Sequence, residues 1–176
     1  MTGDPASTTN RSGRWPAYVA AAVTVAFAVP NVYWGLGGTT GLDTLGGVVE
    51  EQARAGAPAI YAMNWVAAGL KLLLAGVAIA LVQPLPRLPN GAVRGVAWVG
   101  AVVLVVYGLA QTSGVGLMYL GVLEPGDGLT ERALRWRFWL WEPWFLVCGV
   151  LLGAATWLQG RRGRPPQAPW TSRRPS

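Results

Sequence analysis

Four long apolar stretches constrain the fold of this chain more than any other feature. They run over about residues 16–37, 58–82, 93–123 and 138–158. Each is near or above the roughly 20 residues that a helix needs to cross about 30 Å of hydrocarbon, and buried helices of soluble proteins rarely run so long. The sequence therefore predicts an all-α fold, an integral membrane bundle of four transmembrane helices in one domain over residues 15–158.

The charged residues support a membrane protein and not a nucleic-acid-binding protein. Only 12% of the residues are charged and 52% are hydrophobic, whereas about a quarter of a soluble domain is charged. The formal charge of +6 comes from arginines in tails and short loops, without an aromatic-studded β pattern between them. We therefore expect no nucleic-acid partner.

The residue types that are missing exclude most catalytic and metal chemistry. The chain has no histidine, and its one cysteine, Cys148, lies in the fourth apolar stretch. An internal disulfide, a CxxC pair, His-ligated haem, the usual zinc and di-iron sites and Ser-His-Asp hydrolysis are all excluded. We therefore predict no catalytic residue, no metal and no cofactor.

Arginine placement predicts the orientation, because Lys and Arg near the ends of spans are retained in the cytoplasm. The N-terminal arm, the second connection and the tail are basic, with Arg11, Arg14, Arg87, Arg94, Arg161, Arg162, Arg164, Arg173 and Arg174. The first and third connections carry the acidic residues Asp43, Glu50, Glu51, Glu124, Asp127 and Glu131. Both termini are thus expected in the cytoplasm. Alternatively, Arg14 and the apolar residues 17–27 resemble a cleavable signal peptide, which would leave three spans.

The segments outside the spans have simpler expectations. Residues 1–14 are predicted to be a disordered arm, and residues 159–176 a disordered basic tail that attracts anionic lipid. In the outer loops we expect short interfacial helices, one of them capped by Asp43. The third apolar stretch is too long for the bilayer, so we expect a kink or helix end at residues 111–114.

Five polar residues fall inside the spans and form the candidate intramembrane polar cluster: Asn31, Asn64, Lys71, Gln111 and Glu142. A central lysine costs about 2.5 to 3.5 kcal/mol to insert and so needs a partner. Helix geometry allows a Lys71–Glu142 pair in the outer half of the bilayer, bridged by Asn64 or water. The cluster either joins helices by hydrogen bonds or lines a cavity for a polar ligand.

Ten tryptophans are a high number for a chain of this length. Indole rings favour the headgroup boundary, so an aromatic belt is the first interpretation. The excess near residues 136–144 leaves room for a surface that faces a ligand or a partner. This candidate aromatic surface comprises Trp34, Trp65, Trp139, Trp141 and Trp144.

Two motifs resemble those of a known family. Residues 31–43 read NVYWGLGGTTGLD and residues 137–145 read RFWLWEPWF. In these segments the chain resembles a family of small bacterial four-span proteins, domain of unknown function 3995, with a likeness that covers about residues 15–158. The resemblance implies a multi-pass protein of the bacterial cytoplasmic membrane and implies no reaction.

Three functions are compatible with the sequence. The first is a non-catalytic scaffold or accessory subunit, bound to another membrane protein or to a second copy. The alternative is a small carrier or ligand-binding protein with a polar cavity around Lys71 and Glu142. A membrane enzyme comes third. The discriminating observation is whether the polar cluster opens to water.

Overall fold

The computed structural model describes residues 14–83 and 85–162, and within that part of the chain it contains helices joined by short connections and no strand. The helices are α1 (Trp15–Gly35), α2 (Gly47–Arg54), α3 (Pro58–Ala80), α4 (Asn90–Tyr119), α5 (Glu131–Trp136) and α6 (Glu142–Arg162). A 3₁₀ turn spans Leu42–Thr44, and a π-helical turn at Arg137–Trp141 joins α5 to α6. Four helical segments are long and apolar enough to cross a membrane, namely α1, α3, α4 and the joined segment Glu131–Arg161. The predicted all-α, four-span fold class is confirmed.

The four spans form two tightly packed pairs, α1 with α3 and α4 with α6. Contacts between α1 and α6 join the pairs, and α3 touches α4 more lightly. Just over half of the buried apolar residues are alanines: Ala17, Ala20, Ala21, Ala28, Ala68, Ala75, Ala78, Ala80, Ala97, Ala101, Ala133 and Ala155. Small side chains let helix backbones approach closely where lipid supplies no hydrophobic driving force. The larger apolar side chains point outward, as expected for a bundle surrounded by hydrocarbon.

The two ends of the bundle differ in charge. We call the end with connection 36–57 and connection 120–130 the acidic end, because every Asp and Glu of the described residues except Glu142 lies in or next to those connections. The opposite end, with connection 81–89, is the arginine end. At the acidic end the two connections are in direct contact. Arg132, just after the second, forms a salt bridge with Asp43 of the first at 3.1 Å, and Gly47 N donates a hydrogen bond to Gly128 O at 3.0 Å.

Helix α4 corrects one expectation, because it runs unbroken through residues 111–114. At 30 residues it is about 45 Å long, so it extends beyond the hydrocarbon. An interrupted helix in lipid would leave backbone N–H and C=O groups without partners, which costs more than the weak helix preference of Gln, Thr, Ser and Gly. The predicted helix end at residues 111–114 is therefore wrong.

The capping expectation at the acidic end is also wrong. Helix α2 begins after Gly46, whose φ of 65° suits glycine, and no side chain caps it. Asp43 lies in the preceding 3₁₀ turn and faces Arg132 instead. A short helix does exist in connection 36–57, as expected, but a glycine with a positive φ precedes it.

The predicted terminal segments lie mostly outside the described residues. Helix α6 continues to Arg162, into the region predicted to be the basic tail. The rest of the predicted arm, residues 1–13, and of the tail, residues 163–176, falls outside the described residues.

Candidate functional site

Three of the five candidate polar residues meet in one hydrogen-bonded chain between α1 and α3. The Lys71 ammonium donates to Oδ1 of Asn31, and Nδ2 of Asn31 donates to Oδ1 of Asn64 at 2.9 Å. Asn64 in turn donates to the backbone oxygen of Ile60 at 3.0 Å. Each of the three side chains thus donates a hydrogen bond to an acceptor inside the protein, as buried polar groups generally do.

The register of α1 against α3 explains why these residues meet. Trp65 Nε1 donates to Gly35 O at 3.0 Å, so these two residues lie at the same depth on the two antiparallel helices. Counted from that bond at 1.5 Å per residue, Asn31 lies about 6 Å deeper and Lys71 about 9 Å deeper. A lysine stem leans toward the N-terminus of its helix, which here is the acidic end, so it reaches Asn31.

Aromatic rings complete the surroundings of the Lys71 ammonium. Its Nζ lies 4.2 Å from the ring centre of Phe27 and 5.6 Å from that of Phe145, and only 9% of the residue is exposed. A cation over an aromatic face gains about 2 kcal/mol or more when it is desolvated. The aromatic faces and Asn31 therefore take the place that a carboxylate would fill.

Glu142 has a different partner from the one expected. Its Oε1 accepts hydrogen bonds from Nε of Arg137 at 3.0 Å and from Nη2 at 2.9 Å, and its side chain is 6% exposed. Residues five apart do not share a face of an α-helix, but the π turn, in which Glu142 N donates to Arg137 O, brings them together. Pro143 favours that turn because it has no N–H to continue the α-helical pattern. The expected Lys71–Glu142 pair is therefore not formed.

Gln111, the fifth candidate, stands apart from the polar chain. It lies half-buried on α4 and bonds to none of the other four candidates. Its neighbour Thr112 has a buried hydroxyl oxygen without a hydrogen-bond partner in the described part of the chain.

The candidate aromatic surface divides into two sets. Trp34, Trp141 and Trp144 turn inward around Phe27, with the Trp144 ring centre 5.4 Å from Phe27 and the Trp34 ring centre 5.4 Å from Trp141. Their indole N–H groups donate to Thr40 O, Thr44 Oγ1 and Val23 O respectively. Trp65 and Trp139 are exposed at 48% and 69%. The five residues therefore do not form one continuous surface.

The chemistry of the site is that of helix association. Within residues 14–83 and 85–162 no group of three or more His, Cys, Asp or Glu could hold a metal ion. Lys71 and Glu142 are held by separate partners, so they present no paired acid and base. The arrangement fixes α3 to α1 and fixes the start of α6.

Sequence reasoning missed three functional neighbours: Arg137, Phe27 and Phe145. Arg137 lies just before the fourth span and five residues from Glu142, and Pro143 is the sequence signal for the irregular turn that brings the two together. The aromatic neighbours of Lys71 come from α1 and α6, and no sequence spacing links them to α3.

Comparison with known proteins gives one match. Residues 11–152 match the model of a family described as a protein of unknown function, DUF3995. No curated protein matches the chain, and no solved structure matches it.

Proposed function

Because the chain belongs to this DUF3995 family, which supplies no reaction, we propose a function from the site itself: a non-catalytic membrane scaffold or accessory subunit. The observation that carries the proposal is that both charged groups inside the spans are bound internally. Lys71 is held by Asn31 and Phe27, and Glu142 by Arg137. A carrier would need such groups free to face its cargo.

Burial supports the same proposal. Asn64, Lys71 and Glu142 are exposed at 4%, 9% and 5%. Ala68, one turn of α3 from Asn64 and from Lys71, is 1% exposed. A polar group that a ligand must reach would show more surface toward a cavity.

The proposal predicts that the polar chain is closed to water. In a Cys148→Ala background, Ala68→Cys places a small thiol between Asn64 and Lys71. In intact membranes a membrane-impermeant maleimide is expected to leave this thiol unlabelled, because a maleimide needs a hydrated thiolate. Labelling after denaturation in SDS shows that the thiol was intact.

The matched control is Leu120→Cys in the same background. Leu120 is 74% exposed at the acidic end, so this thiol should label readily. Fast labelling of Ala68→Cys from the outside would reveal a water-filled cavity at Lys71 and would replace the scaffold with the carrier.

The proposal includes a location, the bacterial cytoplasmic membrane, with both termini in the cytoplasm. Its support is the charge difference between the two ends of the bundle: Arg87, Arg94 and Arg161 lie at the arginine end, and the acidic residues lie at the other. The partner of such a subunit is another membrane protein or a second copy.

Topology reporters test this orientation. Fusions after Arg87 and after Gly160 are expected to report cytoplasm, and a fusion after Gly126 to report the outside, because arginines are retained inside. Alkaline phosphatase and a fluorescent protein that folds only in the cytoplasm give opposite readouts at each site. The reverse pattern at any of the three positions would overturn the orientation.

A further inference from the structure

An apolar groove runs along the lipid-facing seam between α4 and α6. It has a volume of about 430 Å³, within the range of ligand pockets. Small residues form its floor, Ala101 and Ala154 with Gly149 and Gly153, and valines of both helices form its walls. The groove therefore offers a smooth, narrow slot of the shape that fits a flexible hydrocarbon chain.

Two tryptophans and two arginines close the groove at the arginine end. Trp98 of α4 and Trp157 of α6 line it and are 42% and 47% exposed. One turn further out, Arg161 stacks its guanidinium 3.7 Å from the ring centre of Trp157. On the same seam, the guanidinium of Arg94 rests against Gly160, where a Cβ would clash with it. Both cations thus lie at the mouth of the groove.

The charge around this mouth is unopposed. Within the described residues the salt bridges of arginine are those of Arg54, Arg132 and Arg137, all at the acidic end. No Asp or Glu of the described residues lies at the arginine end. Arg94 and Arg161 are exposed, and a phosphate oxygen suits a guanidinium fork.

We propose that the α4–α6 groove is a binding site for one anionic phospholipid, with an acyl chain in the groove and the phosphate between Arg94 and Arg161. The apolar slot and the paired cations are arranged in the order of a lipid, tail inward and headgroup at the boundary. Basic pockets between transmembrane helices bind anionic headgroups in this way. The inference is independent of the scaffold proposal.

A second groove in the same bundle provides an internal comparison. Between α1 and α3 it has a volume of about 690 Å³ and is lined by Tyr18, Ala22 and Gly76 among others. At its arginine end the Tyr18 hydroxyl accepts a hydrogen bond from Gln83 Nε2 at 3.0 Å. Arg14 precedes α1, one turn from Tyr18, whereas α3 carries no arginine. The two helices of this larger groove therefore bring one arginine to this end, where α4 and α6 bring the pair Arg94 and Arg161.

The test is the thermal stability of the full chain in detergent with added phosphatidylglycerol or phosphatidylcholine. A ligand that binds the folded state at about 100 times its Kd should raise Tm by roughly 5 to 10 °C. We expect this rise with phosphatidylglycerol and not with phosphatidylcholine. The double variant Arg94→Gln/Arg161→Gln should lose it, whereas Arg87→Gln, which removes an arginine of connection 81–89, should keep it.

Filling the groove separates chain binding from headgroup binding. Ala154→Phe occupies the α4–α6 groove from an exposed position and should abolish the rise, while Ala22→Phe in the other groove should not. An equal rise with both lipids, an equal rise with glycerol phosphate alone, or dimers in native mass spectra that Ala154→Phe dissociates would each overturn the proposal. Native mass spectra of wild type should instead show one bound phosphatidylglycerol, lost in the double arginine variant.

Discussion

Replacing Gly149 by alanine is expected to lower the free energy of unfolding by about 1 to 3 kcal/mol, the usual cost of overpacking a tight interface. A Cβ at this position would lie 2.8 Å from Val105 Cγ2, 2.9 Å from Val105 N and 3.0 Å from Ala101 O. Two of these atoms belong to the backbone of α4 and cannot rotate away. The two helices must therefore separate, which weakens contacts along the whole α4–α6 seam.

The matched control is Gly153→Ala, one turn along the same helix. A Cβ there would meet Ala101 Cβ at 3.6 Å and Trp98 at 3.8 Å, which is ordinary van der Waals contact. We expect a change below about 0.5 kcal/mol, within the range of uncritical substitutions. Thermal unfolding in one detergent measures both variants. Equal effects at the two positions would show that α4 and α6 do not approach closely at Gly149.

Removal of the charge of Glu142 is expected to lower the free energy of unfolding by about 3 kcal/mol. This value is at the lower end of the range for breaking a buried ion pair, because the Arg137 side chain is 27% exposed. Glu142→Gln leaves the Arg137 guanidinium without its carboxylate in a half-buried position. The double variant Arg137→Gln/Glu142→Gln removes both charges and should recover much of the loss. The difference between the double variant and the sum of the single variants measures this coupling.

The double variant Lys71→Met/Glu142→Gln is the comparison. Lys71 is held by Asn31 and Phe27, whereas Glu142 is held by Arg137. Because the two residues share no partner, the losses of unfolding free energy in the single variants should add in the double variant to within about 0.5 kcal/mol. Strong coupling between Lys71 and Glu142, or additivity between Arg137 and Glu142, would contradict the pairing seen in the structure. Unfolding midpoints of the six proteins, wild type included, decide between these outcomes.

Much of the fold follows from the sequence because the bilayer imposes simple rules. Long apolar stretches must be helices, since lipid offers no partner for a free backbone N–H or C=O. The same rule kept α4 intact where residues 111–114 had suggested a kink. The helix preferences of soluble proteins do not apply there, because they describe chains that can exchange backbone hydrogen bonds with water.

The candidate site was only partly predictable. Asn64 and Lys71 lie seven residues apart on one helix, so their shared face follows from the helical period. Asn31 was a candidate too, but its position next to Lys71 depends on the register of α1 relative to α3. Contacts between helices depend on register and depth, which a sequence of one chain does not specify.

What the sequence by itself determined is the number of spans, the helical class and the set of polar groups that must find partners, because the cost of burying each group is a local property. Only the tertiary structure decided which groups are the partners. The π turn before Pro143 places Arg137 next to Glu142, and aromatic rings from α1 and α6 lie against the Lys71 ammonium. Partner choice depends on distances between separate helices, and packing of small residues such as Gly149 sets those distances.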